Sequence, residues 1–135
     1  MQLLVKHVRL AKEAALAEVG MQDFEFETLH RLASRDSRQA TPSELAGELM
    51  LSPAGMTGRI DTLEKARLVR RIRSEEDRRR VDVALTDKGH ELWSAAMQVR
   101  ARAEKAMVAV LDPDEQEVLD GLLKRLLTSV ESARG

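Results

Sequence analysis

The chain has 135 residues, enough for one domain with its own hydrophobic core, and no cysteine, which excludes disulfides, thiolate metal ligands and thiol redox switching. No apolar run reaches membrane-spanning length and the N-terminus lacks the pattern of a secretion signal, so the expectation is a cytoplasmic protein with no membrane partner. The net charge of −1 conceals an uneven distribution: residues 52–80 carry 9 basic and 5 acidic side chains, residues 1–51 carry 6 and 8, and residues 81–135 carry 7 and 10. A polyanion would be drawn to that one region.

Residues 1 to about 19 read as a helix, with Leu3, Leu4, Val8, Ala11, Ala15 and Leu16 at helical spacing and Gly20 as the stop. Asp23 is the expected N-cap of a second helix reaching about Ala33, with Phe26 and Leu29 facing inward. Residues 34–40 are polar and without periodicity, and read as a loop. Thr41-Pro42-Ser43-Glu44 is a strong helix start, with Thr41 as cap, proline in the first turn and Glu44 closing a capping box. That helix ends near Met50, and Ser52-Pro53 begins another by the same logic. Met56, Ile60 and Leu63, at i, i+4, i+7, form its inward stripe. Two helices so closely joined predict a helix-turn-helix.

The opposite face of the later helix carries Ala54, Thr57, Gly58, Asp61 and Lys65. Gly55 and Gly58 each cost roughly 1 kcal/mol relative to alanine inside a helix. Either the glycines let the two helices cross tightly, or a ligand approaches the backbone closely; the basic segment that follows favours the ligand. Leu68–Arg73 reads as a strand, residues 74–77 as a polar turn, and Arg80–Leu85 as a second strand with Val81, Val83 and Leu85 on one face. A helix-turn-helix followed by a β-hairpin is a winged helix. Arg78, Arg79 and Arg80 stand in a row at the hairpin tip, beside the small-faced helix, and this pairing favours double-stranded DNA over a merely solvated charge run.

Thr86-Asp87 caps a long helix to about Val110, in which Trp93 reads as a core residue near the hairpin. Asp112-Pro113-Asp114-Glu115 starts a last helix whose stripe from Val118 to Val130 is too apolar to stay exposed, so it is buried within the chain or by a partner. The fold class is therefore mainly α with a small β-hairpin wing, a winged helix-turn-helix with flanking N- and C-terminal helices. No internal repeat or second domain is expected. The three histidines and scattered carboxylates form no metal-ligand spacing and no nucleophile–base constellation, so neither enzyme activity nor a metal or cofactor is expected. His30 is a weak candidate for an effector pocket, with a structural role the alternative.

Two stretches, TPSELAGELMLSPAGMTGRIDTLEKARLV and EEDRRRVDVALTDKGHEL, resemble the MarR (multiple antibiotic resistance regulator) family of bacterial transcription regulators. The matching positions are Glu44-Leu45-Ala46, Ser52 through Leu63-Glu64, Asp77-Arg78-Arg79, Leu85-Thr86 and Lys88-Gly89. The resemblance implies a homodimer built from helices at about 1–19 and 87–133, with a DNA-binding lobe at about 24–86, on a near-palindromic operator. It also implies repression relieved by a small anionic or phenolic effector. The DNA-binding residues it points to are Ser52, Ala54, Gly55, Thr57, Gly58 and Arg59 on the recognition helix, with Arg73, Arg78 and Arg79 on the hairpin. Asp61, acidic on the DNA-facing side, is expected to pair with a wing arginine, Arg78 or Arg79. Two positions depart from the family pattern: Arg67 stands where glycine is usual, and Gly58 where a basic or amide residue is usual. They leave open a rival reading, a helical ligand-binding or protein-interaction module that has lost specific DNA binding. Lack of cysteine separates the chain from the family's thiol sensors, and its start almost on the first helix implies a short dimer arm.

Overall fold

Six helices and three short strands make up the chain in the computed structural model, which describes residues 1–135. They fall into two units, Met1–Ala101 and Arg102–Gly135. In the first unit, helix α1 (Gln2–Ala17) buries Ala15 and Leu16 at its C-terminal end and leaves Leu3, Leu4, Val5 and Leu10 exposed. Helix α2 (Asp23–Ala33) begins one residue differently from the expectation. Gln22 is the cap, its backbone N–H donating to the Glu25 carboxylate at 2.9 Å, and Asp23 occupies the first turn, where its charge still suits the helix N-terminus.

The stretch expected to be all loop contains a strand, β1 (Gln39–Ala40). Two residues are too few to show an alternation; β1 exists because strand β3 (Val81–Leu85) pairs with it, Gln39 opposite Ala84 and Ala40 opposite Val83. Strand β2 (Val69–Arg73) pairs with the other edge of β3, from Val69 opposite Leu85 to Arg73 opposite Val81, giving the sheet order β1-β3-β2. Val83 and Leu85 are buried as expected, but Val81 is 42% exposed. It lies where the hairpin projects past the core, and the buried polar side chain there is Asp82, neutralised by Arg80 at 2.9 Å.

Helix α3 (Pro42–Leu49) starts on the expected capping box. Thr41 Oγ1 accepts from the Glu44 N–H at 3.0 Å, and the Glu44 carboxylate accepts from the Thr41 N–H at 3.3 Å. The chain leaves it through Met50 at φ +56° and enters helix α4 (Pro53–Lys65), capped by Ser52 Oγ accepting from the Gly55 N–H at 3.0 Å. Met56, Ile60 and Leu63 are fully buried, joined in the core by Leu16, Phe26, Leu29, Leu32, Leu45, Val69 and Val83. Removing that much aliphatic surface from water is what holds α2, α3, α4 and the sheet together.

Helix α5 (Asp87–Val108) starts against the sheet. Thr86 Oγ1 accepts from the Gly89 N–H at 3.0 Å and lies 2.7 Å from the Arg67 carbonyl oxygen, to which it donates. A Cβ on Gly89 would stand 2.1 Å from the Leu68 carbonyl oxygen, so only glycine permits this approach. Trp93 packs on the core as expected, though its polar partner is on α2 rather than in the hairpin.

In the second unit, helix α6 (Pro113–Arg134) is capped by Asp112, whose carboxylate accepts from the Glu115 N–H at 2.8 Å. The Gln116 amide donates to the carbonyls of Val108 and Leu111 at 3.2 and 3.0 Å and fixes the turn before it. No α6 residue is buried: Val118, Leu122, Leu123, Leu126, Leu127 and Val130 are each about half exposed or more.

Candidate nucleic-acid interface

The outward face of α4 begins at its cap and runs through Ala54, Gly55, Thr57 and Gly58, all exposed with Ser52. Thr57 Oγ1 donates to the Pro53 carbonyl at 3.0 Å, which leaves the methyl as the part of that side chain without a polar role. The glycines are not there for a tight helix crossing. An added Cβ on Gly58 meets nothing within 4 Å, and one on Gly55 meets only the Oγ of its own cap, Ser52, at 3.1 Å.

Arg59 does not join this face. Its guanidinium lies 5.4 Å from the centre of the Phe24 ring and its Nη1 3.7 Å from Glu27 Oε2, so it is turned towards α2. The reason is angular: Arg59 precedes Ile60 by one residue and borders the inward stripe, where an aromatic face and a carboxylate attract it more than solvent does. In the chain without DNA it is thus turned away from the phosphate or flanking bases expected of it.

Asp61 has a wing arginine as partner, but not one at the tip. Arg71, in the middle of β2, places Nη2 2.7 Å from Asp61 Oδ1 and Nη1 2.6 Å from Glu64 Oε1, while its backbone N–H donates to Glu64 Oε2 at 3.1 Å. Partial burial opposes the Arg71 charge, but the hydrogen bonds to Asp61 and Glu64 outweigh it and hold its pKa above the ordinary arginine value. This clamp fixes the hairpin against α4 and offsets one of the two acidic charges nearest the exposed face. The sequence did contain a trace of it, since Asp61 and Glu64 at i, i+3 share a helix side.

The tip arginines are free of such duties. Asp77 Oδ1 accepts from the Arg79 N–H at 3.0 Å and the Asp77 carbonyl from the Arg80 N–H at 2.9 Å, a turn that sets Arg78 and Arg79 at the apex. Both are exposed and make no ion pair, as is Arg73 at the end of β2. Arg80 is spent on Asp82, which raises its pKa. Glu75 and Glu76 stand exposed in the same tip and offset part of the positive charge.

Arg67 adopts φ +62°, the left-handed conformation anticipated for a position where glycine is usual. It ends α4 in a Schellman motif: the Leu68 N–H donates to the Leu63 carbonyl at 3.0 Å and the Arg67 N–H to the Glu64 carbonyl at 2.9 Å. Lys88 Nζ supplies the Ala66 carbonyl at 3.1 Å. The unusual residue thus leaves the helix-to-hairpin junction intact.

Away from this face, His30 lines a cleft of about 300 Å³ with Lys12, Phe26, Arg31, Leu49 and Arg100 among its walls. Its Nδ1 accepts from Trp93 Nε1 at 3.1 Å, so the imidazole is neutral there, and it stacks on Phe26 with ring centres 5.3 Å apart. Burial first, then the charges of Arg100 and Arg31, lower its pKa. No cluster of three metal-ligating side chains occurs, and no helix is long and apolar enough to cross a membrane.

Residues 24–81 match the MarR family profile. Among curated relatives, the chain is similar to the HTH-type transcriptional regulator PecS of Dickeya dadantii, 33% identical over 76% of this chain and 62% of PecS. It is 29% identical to the transcriptional repressor MprA of Escherichia coli, over 83% of this chain and 64% of MprA. The chain thus spans less than two thirds of either protein. The uncharacterized HTH-type transcriptional regulator YhbI of Bacillus subtilis is 32% identical over 89% of this chain and 80% of its own length. Among solved structures, AbsC, a MarR family transcriptional regulator from Streptomyces coelicolor, superposes with a TM-score of 0.76 at 25% identity, over 97% of this chain and 91% of AbsC. A mutant of S. aureus MepR bound to an oligodeoxyribonucleotide gives 0.68 at 21% identity, over 96% and 94%.

Proposed function

Because the chain belongs to the MarR family of winged helix-turn-helix transcriptional regulators, which are not enzymes, we propose that it binds operator DNA as a homodimer and represses transcription until a small effector releases it. One observation carries the DNA reading: an exposed α4 face, with its nearest carboxylates held by Arg71, stands beside a hairpin tip where the guanidinium groups of Arg78 and Arg79 make no ion pair. In this reading Ser52, Ala54, Gly55, Thr57 and Gly58 enter the major groove, Arg73 meets phosphate, and Arg78 and Arg79 reach the minor groove. The oligodeoxyribonucleotide held by MepR, on the same fold, supports it.

The exposed apolar faces of α1 and of α6 support the homodimer, because apolar surface of that extent is usually covered by a partner. Two copies related by a two-fold axis suit a near-palindromic site with half-sites roughly one helical turn apart. Repression is the role that MprA's name carries. The effector site we assign is the cleft at His30, where Lys12, Arg31 and Arg100 outnumber Glu27 and Glu48 around the apolar Phe26 and Leu49; an apolar wall with a net positive rim suits a small anionic or phenolic molecule. A protein acting on chromosomal DNA works in the cytoplasm.

A gel shift with duplex DNA from the protein's own promoter region tests the reading. A discrete complex that survives excess random duplex and weakens with salt is expected; no shift even at low salt would leave the rival, a ligand or protein-interaction module, as the better description.

A further inference from the structure

Along the outward face of α4, no side chain between Ala54 and Thr62 aims an unengaged hydrogen-bond donor outwards. Thr57 Oγ1 donates to the Pro53 carbonyl and Thr62 Oγ1 to the Gly58 carbonyl, at 3.0 and 3.1 Å. Arg59 Nη1 has no hydrogen-bond partner, but the guanidinium is turned off this face, over Phe24 and 3.7 Å from Glu27. Ala54, Gly55 and Gly58 have no polar side-chain atom, and Asp61 is an acceptor already held by Arg71. Lys65 lies eight residues beyond Thr57, roughly 12 Å along the helix axis.

The base edges of the major groove ask for different partners. Guanine presents two acceptors, N7 and O6, and needs a donor; thymine presents its 5-methyl group, which needs an apolar surface. Between Ala54 and Thr62 no side chain can make the paired contact that selects guanine; the Ser52 hydroxyl at the cap is a single donor, and Lys65 stands roughly two turns beyond Thr57. It can receive methyl groups: Thr57 and Ala54 each offer a methyl, and the space over Gly58, where an added Cβ would touch nothing, lets a base edge reach the helix backbone.

We infer that α4 selects its half-site by thymine methyl groups packed against Thr57, Ala54 and Gly58, and not by hydrogen bonds to guanine. The inference rests on the DNA-binding reading above and narrows it to A·T-containing half-sites. Thr57 is its main specificity-determining residue, through its methyl and not its hydroxyl.

The probe is a duplex enriched from a random-sequence pool by the full chain. Each thymine of that duplex is then replaced in turn by uracil, which removes only the 5-methyl group. Affinity should fall about fourfold at each contacted thymine, the factor that burial of one methyl group corresponds to. Thr57→Ser, which keeps the hydroxyl and loses the methyl, should show a similar loss and become insensitive to uracil at one of those positions. Thr57→Val, which keeps the shape and loses the hydroxyl, should bind and discriminate as the parent does. Unchanged thermal unfolding of the Thr57→Ser protein separates lost contact from lost fold. Affinity indifferent to uracil at every position, or half-sites in which guanine is the base that Thr57 substitutions affect, would overturn the inference while leaving the DNA-binding reading standing. Failure to enrich any duplex would overturn both.

Discussion

Arg71 reaches Glu64 twice, its backbone N–H donating to Oε2 at 3.1 Å and its guanidinium to Oε1 at 2.6 Å, so the central strand residue of the hairpin's first arm is tied to the last turns of α4. The same guanidinium holds Asp61. Arg71→Met leaves two carboxylates, a turn apart, facing the sheet without a cation. The side chains of Arg71, Asp61 and Glu64 remain 30%, 55% and 41% exposed, so solvent screens the loss. The expected destabilisation is about 1 kcal/mol, below that of breaking a buried pair. Urea unfolding measures it. A double-mutant cycle should show coupling between Asp61 and Arg71 and none between Asp61 and Arg78; coupling to Arg78 would reverse this assignment.

Gly89 and the Leu68 carbonyl define the closest approach between α5 and the hairpin. In Gly89→Ala the new Cβ would meet that oxygen at 2.1 Å and Leu85 Cδ1 at 2.8 Å. A backbone atom cannot swing aside as a side chain does, so α5 must shift away from the sheet, at a cost of about 3 kcal/mol. Gly58→Ala has open space and an improved helix propensity, and should stabilise by up to about 1 kcal/mol. Thermal melts of the two variants should therefore move in opposite directions.

Arg67 is in the left-handed region at φ +62° without glycine's freedom. Arg67→Gly removes the Cβ penalty, while the Schellman hydrogen bonds, which use backbone groups alone, persist. A gain of about 1 kcal/mol is expected, partly offset by the greater freedom of glycine in the unfolded chain. It should appear as a raised urea midpoint with an unchanged slope.

What was legible from residues alone follows from range. The caps at Thr41, Ser52 and Asp112 and the inward stripe Met56, Ile60, Leu63 are local, set by spacings of three and four residues, and the structure has them where the spacing puts them. Strand β1 exists only because β3 lies beside it, and the fate of Arg59 depends on Phe24 and Glu27, more than 30 residues earlier. Asp61 called for a cation, but the tip and the strand both offered arginines, and only the β2–β3 register puts Arg71 over α4. Local rules say that a charge needs a partner; the fold chooses which.

The His30–Trp93 hydrogen bond ties one part of the acid stability to a single residue pair. Burial and the neighbouring Arg100 and Arg31 keep the folded-state pKa of His30 below its unfolded value of about 6.5. The folded protein then binds fewer protons than the unfolded chain as pH falls below 6.5. Its stability is full above that pH and declines as the pH drops through the folded value. Protonation also removes the Nδ1 acceptor from Trp93 Nε1. Trp93 is the only tryptophan, so its emission should titrate with a midpoint below 6.5. In His30→Gln, whose amide oxygen can still accept from Trp93, both the fluorescence titration and that part of the acid destabilisation should disappear. A midpoint at or above 6.5 would contradict the depressed pKa.

Arg79 sits at the apex of a turn that Asp77 closes, exposed and without an ion-pair partner, which makes it the simplest test of wing contact. Each phosphate neutralised by a cation releases counterions, giving a slope in log affinity against log salt of about −0.9 per contact on B-form DNA. If Arg79 meets phosphate beside the minor groove, Arg79→Ala should weaken operator binding and make the slope shallower by about 1. Arg59→Ala is the contrasting variant. Arg59 is bound to Phe24 and Glu27, so its loss should lower stability through α2 packing while the salt slope stays unchanged. The opposite assignment of slopes, steep dependence lost with Arg59 and kept without Arg79, would mean that Arg59 swings out on binding and that the wing tip stays in solvent.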